Sequence, residues 1–507
     1  MYRCKGTITV FLSLVSILLL SLFCTMIESA RVQGARAQAT ANLDMGLYSV
    51  FGEYDKVLLE EYDLWFLDGT MGNSKFSKEG LETKLKDFIY PNLHPAEKLT
   101  IGRYWNLFPM ELDSCKVEKY ALATDDGGRV FYRQVVENEK ELATGNLAAD
   151  VLKSKDKLQE QQTKGEEYKK EEEGAEKKLE EAESEQEKAE NTLQDPQLQT
   201  EIKQPQPDAN PLDTIKKIQK MGILGLVLKD PSKFSQKELT VKNLPSKRTL
   251  REGNLKVERI SEGVVSETIF LNYLKRNFTC AVDKKKKDKL HCEMEYLVAG
   301  KTSDIENLKA IVNRLLLLRE GTNFVCVTTS ARMSKEAFAL AGTIAGSLAV
   351  PALTTALQYA LMLAWAYGES LMDVRTLLAG GKVPLIKTEA DWKLSLQNLG
   401  NLETVLEECD KGGGSGQSYE EYLLGFLALE KKADRNLRVL DLIEAYRRSE
   451  KGGENFRADA LIAEMKVSCT FQLQPVFLAV PAAFMKVSNQ GIQYQIEGRY
   501  GYMEGGV

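Results

Sequence analysis

The chain has 507 residues, with 67 Lys and Arg against 73 Asp and Glu, which leaves a formal net charge of −6. This length exceeds one ordinary domain, and the acidic balance argues against nucleic acid as a partner. Eight cysteines are too few for a disulfide-built scaffold of this length, and their number alone does not assign a redox compartment.

The first predicted element is an apolar segment, residues 7–27, that contains no charged residue. As a helix rising about 1.5 Å per residue, it would span about 30 Å, enough to cross the hydrocarbon core of a bilayer. Arg3 and Lys5 precede it in a predicted cytoplasmic tail, residues 1–6, and favour an N-terminus inside the cell. We therefore predict a single-pass anchor in the lipid bilayer, with the bulk of the chain outside the cell.

A cleaved signal peptide is the alternative interpretation of this segment. The apolar region of a signal peptide normally has about 7–15 residues and ends at a small-x-small site. Cleavage after Ala30 would place Glu28 at a small-residue position, and Cys24 lacks the preceding small residues of a lipoprotein signal. The sequence therefore favours an anchor that stays attached.

An Ala-rich helical pattern continues from Glu28 with no turn signal before Asp68-Gly69, which predicts one long helix, half in the membrane and half outside. Gly6, the apolar helix, the acidic residue near its end and the Arg/Ala/Gln-rich stretch after it resemble the TadE/TadG-like minor pilins of tight-adherence (Flp) pilus systems. This resemblance makes Gly6 a candidate peptidase processing site. Prepilins cut after Gly usually carry Glu at the fifth mature position, where this chain has Phe11.

A second resemblance covers most of the chain outside residues 150–210. It is carried by GTITVFLSLVSILLLSLFCTMIESARVQGARAQA, EYLVAGKTSDIENLKAIVNRLLLLREGTNF and LAWAYGESLMDVRTLLAGGKVPLIKT. These segments are similar to a family of uncharacterised single-pass membrane proteins of Gram-positive bacteria, whose N-termini are TadE/TadG-like and which are associated with such pilus loci. The resemblance implies other pilin-like or secretion-platform subunits as partners, with self-association as a further expectation.

Glu28 is the candidate interaction residue, because it stands at the predicted membrane boundary. Either it stays hydrated at the interface, or it pairs with a cation on the helix of a neighbouring subunit, since charges near apolar spans seek partners. Farther along, a helical pattern from Lys78 to Ile89 and an alternating stretch from Arg129 to Val135 predict a helix and a strand. With the long helix they form a predicted membrane-proximal α+β region, residues 28–146.

Residues 147–211 are predicted as a charged helical insertion followed by a Pro/Gln-rich linker. Heptad spacing holds throughout, but too few seam positions are large and apolar for a strong coiled coil. A solvated helix or a weak helical hairpin is therefore favoured. The seam positions are Leu147, Val151, Ser154, Leu158, Gln161, Gly165, Tyr168, Glu172, Ala175, Leu179, Ala182, Gln186, Ala189 and Leu193.

Residues 212–507 are predicted as a C-terminal α+β domain, mainly helical with a small antiparallel sheet. Alternation predicts a hairpin over residues 278–296 and two further strands near residues 467–473 and 492–496. In the hairpin, Cys280 and Cys292 lie opposite each other, so they are either a disulfide, formed with local adjustment, or two buried free thiols. Free thiols are the favoured alternative.

Helical patterns fill the middle of this domain. They run from the Ser303/Glu306 capping box to Gly321, over residues 335–349, 353–378 and 389–399, from a second box at Ser418/Glu421, and over residues 436–448. Residues 337–368 carry no charge and could be mistaken for a second membrane span. Pro351 divides them, and we interpret them as buried core helices.

The sequence contains no signature of catalysis. It has two histidines, far apart, and no HExxH or CxxC motif, which predicts a protein that is not an enzyme and uses no metal or other cofactor. Two functional classes remain open. One is a pilus-associated structural or assembly protein, and the other is a membrane-tethered binding or adhesion module.

Overall fold

The computed structural model describes residues 5–73, 75–94, 108–140, 152–192, 211–239, 243–257, 263–283, 290–347, 353–408, 414–477 and 491–502. The α-helices in these ranges are α1 (Lys5–Phe51), α2 (Lys56–Tyr62), α3 (Lys78–Leu93), α4 (Asp125–Glu139), α5 (Lys155–Thr192), α6 (Pro211–Gln219), α7 (Ile223–Val227), α8 (Val264–Asn277), α9 (Glu293–Ala299), α10 (Asp304–Thr329), α11 (Ala331–Ser347), α12 (Thr354–Leu378), α13 (Leu402–Glu408), α14 (Tyr419–Leu429) and α15 (Lys432–Ser449). The strands are β1 (Leu67–Asp68), β2 (Met110–Leu122), β3 (Lys382–Val383), β4 (Gln417–Ser418), β5 (Leu461–Leu473) and β6 (Ile492–Gly501).

The chain forms two compact units. Unit 1 consists of Met1–Asn138, Asn243–Ile260 and Val439–Val507, and unit 2 consists of Glu139–Lys242 and Ser261–Arg438. Unit 1 thus combines the two ends of the chain with one internal segment. Helices dominate, and small antiparallel sheets complete the structure, so the predicted α+β class is confirmed.

Helix α1 changes character along its length. Nearly all described side chains from Ile8 to Phe23 are exposed, although the most apolar window of the helix has a mean hydropathy of 2.6. From Cys24 onward, buried residues recur at spacings of three and four, which defines one packing face. They are Cys24, Glu28, Arg31, Ala35, Ala39, Asn42, Leu43, Gly46, Leu47, Val50 and Phe51. Among the described residues, α1 is the one helix long and apolar enough to cross a membrane.

The packing face of α1 lies on an antiparallel sheet in unit 1. Strand β5 is central, with β2 along one edge and both β1 and β6 along the other. The sheet contributes apolar side chains such as Val117, Val467 and Phe471 to the core, and α1 and α3 cover them. The two C-terminal strands were predicted from alternation, and the structure confirms both.

Two predictions for unit 1 were wrong. The first helix ends at Phe51, and the side chain of Asp55 caps a separate helix, α2, by accepting hydrogen bonds from two backbone N–H groups. Residues 129–135 belong to helix α4, not to a strand. Buried pairs such as Phe131 with Val135 stand four residues apart, so the helical spacing describes this segment better than alternation does.

In unit 2, the charged helix α5 is part of the core along its first half. Leu158, Gln161, Tyr168 and Ala175 are buried, and all of them are heptad seam positions. The seam therefore packs inside the same chain, and the prediction of a solvated helix was wrong for this half. The stretch predicted as a linker, residues 195–211, lies outside the described residues except at Pro211.

Helices α5 and α10 cross at two glycines. A Cβ atom on Gly165 would lie 2.5 Å from the carbonyl oxygen of Leu317, and one on Gly321 would lie 2.5 Å from the backbone nitrogen of Gly165. The two backbones thus touch, and only hydrogen fits at either position. Gly321 was predicted to end its helix, but α10 continues to Thr329 because the glycine serves this crossing.

The helical middle follows its predicted caps. Ser303 accepts a hydrogen bond from the Glu306 backbone at the start of α10, and Ser418 does the same for Glu421 at the start of α14. Helix α12 is buried at every residue from Ala360 to Leu377, which agrees with a core helix instead of a second membrane span. An α-helix was predicted over residues 389–399, but two short 3₁₀ segments, Glu389–Asp391 and Leu396–Asn401, lie there instead.

In the described part of residues 278–296, which is 278–283 and 290–296, the predicted hairpin strands are absent. The end of this range belongs to helix α9, and the backbone N–H groups of Thr279 and Ala281 donate to the carboxylates of Glu293 and Glu295, at 2.8 Å each. The N–H of Cys292 likewise donates to Asp304 at 3.1 Å. Buried carboxylates accept the hydrogen bonds that a partner strand would otherwise accept.

Candidate functional site

The junction between the exposed and packed halves of α1 is the candidate functional site of unit 1. Glu28 is buried there, and Arg31, one turn later, donates from Nε to Glu28 Oε1 at 3.0 Å. The other carboxylate oxygen of Glu28 accepts hydrogen bonds from the backbone of Val476 at 3.3 Å and Phe477 at 2.8 Å. Arg31 also donates to the carbonyl of Gln474.

These contacts give Glu28 its partners within its own chain. Burial acts to raise the pKa of Glu28, but the hydrogen bonds from Arg31 and Phe477 outweigh it and lower that pKa. The carboxylate therefore stays ionised and holds the turn after β5 against α1. The charge of Glu28 is already compensated, although lateral pairing with a neighbouring subunit stays a prediction.

Gly6, the candidate processing site, lies in the first turn of α1. Its role as a processing site stays a prediction.

A disulfide joins Cys115 on β2 to Cys469 on β5, two strands that are directly paired at this register. The Cα atoms lie 4.1 Å apart, and the cysteines are separated by 354 residues in sequence. The bond therefore ties a strand from the N-terminal part of unit 1 to a strand from its C-terminal part. Disulfides persist in oxidising compartments.

The cysteines predicted as a candidate disulfide, Cys280 and Cys292, are both free and buried in unit 2. Burial, with Glu295 nearby, raises the pKa of both thiols, which keeps them protonated and unreactive. Of the two alternatives, the structure therefore shows the favoured one, two buried free thiols.

Unit 2 contains a buried network of two cations and two anions. Arg319 Nε donates to Asp373 at 3.0 Å, and Lys387 Nζ donates to the other oxygen of Asp373 at 2.6 Å and also to Glu369. All four side chains are at most 5% exposed. With all four groups ionised the network is neutral as a whole, although burial raises the pKa of Glu369 against the opposing effect of Lys387.

The same network holds a connecting segment onto the helices. Arg319 donates to the carbonyls of Pro384 and Leu385, and Glu369 accepts from the backbone of Lys393 and Leu394. The segment that follows β3 is therefore fixed against α10 and α12. Sequence analysis missed this network, although one signal existed. Glu369 and Asp373 stand four residues apart on the most buried helix, where isolated charges are costly.

A cleft of about 350 Å³ lies beside this network in unit 2, between α5, α10 and residues 386–389. Gln161 and Cys326 line its buried side, Lys157 and Glu160 line the α5 side, and the exposed Ile386 lies at its edge. The cleft offers mixed charges and a few hydroxyl groups, with no arrangement of a nucleophile and a base. Among the residues that the structure describes, no group of three or more side chains could hold a metal ion.

Glu320 makes the stability of unit 2 depend on pH. Burial, together with Glu172 on α5, raises the pKa of Glu320 from 4.5 to about 8, while Lys169 opposes this effect. The folded state therefore binds this proton more tightly than the unfolded state. The stability that unit 2 gains from this bound proton is fully present below pH 4.5 and is lost as the pH rises through about 8.

We therefore expect Glu320→Gln to stabilise unit 2 increasingly at higher pH. Denaturant unfolding of the full chain in detergent should show a gain over wild type that grows by about 3.5 kcal/mol from pH 5 to pH 8. Glu167→Gln, on the exposed face of α5, is the control and should show no such growth. A gain that is constant with pH would contradict the assignment.

A family profile described as "Family of unknown function (DUF5702)" matches residues 200–473. No curated protein and no solved structure matches the chain.

Proposed function

The chain belongs to the DUF5702 family, and we propose that it is a membrane-anchored extracytoplasmic structural or assembly protein, similar to a minor pilin of a tight-adherence (Tad/Flp) pilus or a related secretion system. One observation carries this proposal. Helix α1 exposes an apolar half long enough to cross a bilayer and continues without interruption into a half that packs on an antiparallel sheet. A helix of this kind can anchor in the membrane and pack laterally while its domain stays outside.

The direction of insertion is part of the proposal. Arg3 and Lys5 favour an N-terminus in the cytoplasm, and the disulfide between Cys115 and Cys469 favours an oxidising compartment for unit 1. Both observations support the same orientation, with one membrane crossing. The resemblance to TadE/TadG-like and Gram-positive membrane proteins supports the same assignment.

The partner test places a photo-crosslinking residue on the exposed face of α1, at Met45 or Tyr48 in separate variants. In cells we expect adducts with other pilin-like subunits or with the secretion platform, because the side chains of Met45 and Tyr48 are 48% and 67% exposed. The matched control carries the same residue at Phe338, which is equally exposed but belongs to unit 2. Adducts with wall polymer or a host ligand, and none with such subunits, would favour the binding or adhesion module.

The orientation of the chain in the membrane is tested separately, with a tag placed after Val507. On intact, wall-stripped cells an impermeant reagent should label this tag, and Cys115 and Cys469 should resist alkylation without reductant. A tag that stays protected would contradict the single-span topology.

A further inference from the structure

The turn after strand β5 lies at the level where α1 would leave the membrane. The apolar segment of α1 ends at Ile27, and the next residue, Glu28, accepts hydrogen bonds from the backbone of Val476 and Phe477. A hydrogen bond joins groups about 3 Å apart. The backbone of the turn therefore lies beside Glu28, the residue that follows the apolar segment. If α1 crosses a bilayer, these residues must lie at its surface.

Protein also covers one side of α1 below this level. Cys24, one turn before Glu28, is 7% exposed, while its neighbours Phe23 and Met26 are 59% and 62% exposed. The packing face of unit 1 thus extends a full turn into the segment predicted to lie in the membrane. This places part of the folded unit at the depth of the lipid headgroups.

The side chains of the turn suit an apolar surface. Val476 is 46% exposed and Phe477 is half-buried, although both are apolar. The sequence from Pro475 to Met485, PVFLAVPAAFM, carries no charge, and its residues from 478 onward lie outside the described residues. Apolar side chains at an interface gain free energy by entering the boundary between headgroups and acyl chains.

The backbone of the turn is also prepared for an environment with little water. A peptide group that faces lipid without a hydrogen-bond partner is costly. Here Glu28 accepts from the N–H groups of Val476 and Phe477, and Arg31 donates to the carbonyl of Gln474. Because the ion pair is neutral as a whole, it satisfies the turn without leaving a net charge at the boundary.

We propose that the turn Gln474–Phe477 is a second membrane contact of unit 1, which rests on the bilayer surface beside α1 and is held there by Glu28 and Arg31. The partner is the bilayer's interfacial region. This inference rests on the proposed membrane anchoring of α1 and gives a function to the buried ion pair of Glu28 and Arg31. It also explains why Glu28 is buried against its own chain.

The test introduces a diazirine amino acid at one position of the full chain, reconstituted in nanodiscs of phosphatidylethanolamine and phosphatidylglycerol with an alkyne-tagged acyl chain. Probes at Val476, Leu18 and Tyr48 are compared. Leu18 lies in the anchor, and Tyr48 lies on the same helix about 30 Å beyond Glu28. We expect lipid adducts at Leu18 and Val476, with a yield at Val476 at least fivefold above that at Tyr48.

Variants of Glu28 and Arg31 then test whether the ion pair holds the turn against the bilayer, or whether the turn lies near lipid without it. Glu28→Ala and Arg31→Ala should lower the adduct yield at Val476 severalfold and leave that at Leu18 unchanged. Glu28→Gln, which keeps the size of the side chain, should have a smaller effect. The fraction of chains with the disulfide between Cys115 and Cys469, measured in the same samples, reports that β2 and β5 of unit 1 have paired in the variants.

The outcomes distinguish this inference from the proposed function. Adducts at Leu18, with a yield at Val476 no higher than at Tyr48, would overturn the second contact and leave the anchor intact. An absence of adducts at Leu18 would overturn the anchoring and the second contact together. A yield at Val476 that is unchanged in both alanine variants would overturn the role of the ion pair.

Discussion

Replacing Gly321 with alanine should destabilise unit 2 by about 3 kcal/mol or more, because there is no room for a methyl group where α5 crosses α10. The new Cβ would lie 2.5 Å from the backbone nitrogen of Gly165 and 2.6 Å from the carbonyl carbon of Lys164. Backbone atoms cannot rotate away as a side chain can. The helices must therefore separate, and α5 would lose the contacts that bury Leu158 and Tyr168.

Gly165→Ala should have a similar effect, since its Cβ would lie 2.5 Å from the carbonyl oxygen of Leu317. Gly174→Ala is the matched control on the same helix, because nothing lies within 4 Å of the added atom. There we expect no loss, or a gain of up to about 1 kcal/mol from higher helix propensity.

Denaturant unfolding of the three variants, with hydrogen exchange of the α5 backbone, measures both the loss and its location. Faster exchange in α5 should accompany the destabilisation in the two crossing variants. Equal stability of Gly321→Ala and Gly174→Ala would show that the helices do not touch at this point.

Local signals in the sequence identified much of the fold. Ser303 and Ser418 both cap true helix starts, and the full capping box forms at Ser418, since groups three residues apart are sufficient for these contacts. Alternation also located β5 and β6, where one face of each strand packs on the core. The apolar run that predicted α1 is equally local.

Contacts between residues far apart in the sequence could not be predicted from such local signals. The predicted hairpin joined two neighbouring segments, whereas β5 pairs with β2, which the sequence places more than 300 residues earlier. Alternation does not identify the partner of a strand, so the disulfide between Cys115 and Cys469 could not be deduced either.

The candidate site shows the same division. Glu28 was singled out correctly as the charge at the end of the apolar segment, but its backbone partner Phe477 lies 449 residues away. Gly165 was interpreted as a weak position in a heptad seam. Its lack of a side chain is required because Gly321 packs against it, a contact that the sequence does not indicate.

Asp373→Asn should cost about 3–5 kcal/mol of the free energy of unfolding, because it leaves the buried network with one uncompensated positive charge. Asp373 accepts hydrogen bonds from Arg319 and Lys387, at 3.0 Å and 2.6 Å. Burial acts to raise the pKa of Asp373, but these two cations outweigh it and lower that pKa. Asparagine keeps the shape of the side chain and removes only its charge.

The double variant Asp373→Asn with Lys387→Met tests this reasoning about charge. Removing one cation with one anion restores the balance between Arg319 and Glu369, so part of the lost stability should return. A control at the surface is Glu336→Gln, which breaks an exposed pair with Arg332 and should have a much smaller effect. Each variant is measured by denaturant unfolding at neutral pH.

The two interpretations of the network predict opposite results for the double variant. If the net charge governs the cost, the double variant is more stable than Asp373→Asn alone. If the hydrogen bonds govern it, the double variant is less stable still, because Lys387→Met also removes the bond to Glu369. That second result would contradict the charge-balance account, and the segment after β3 should then exchange its backbone hydrogens faster than in the single variant.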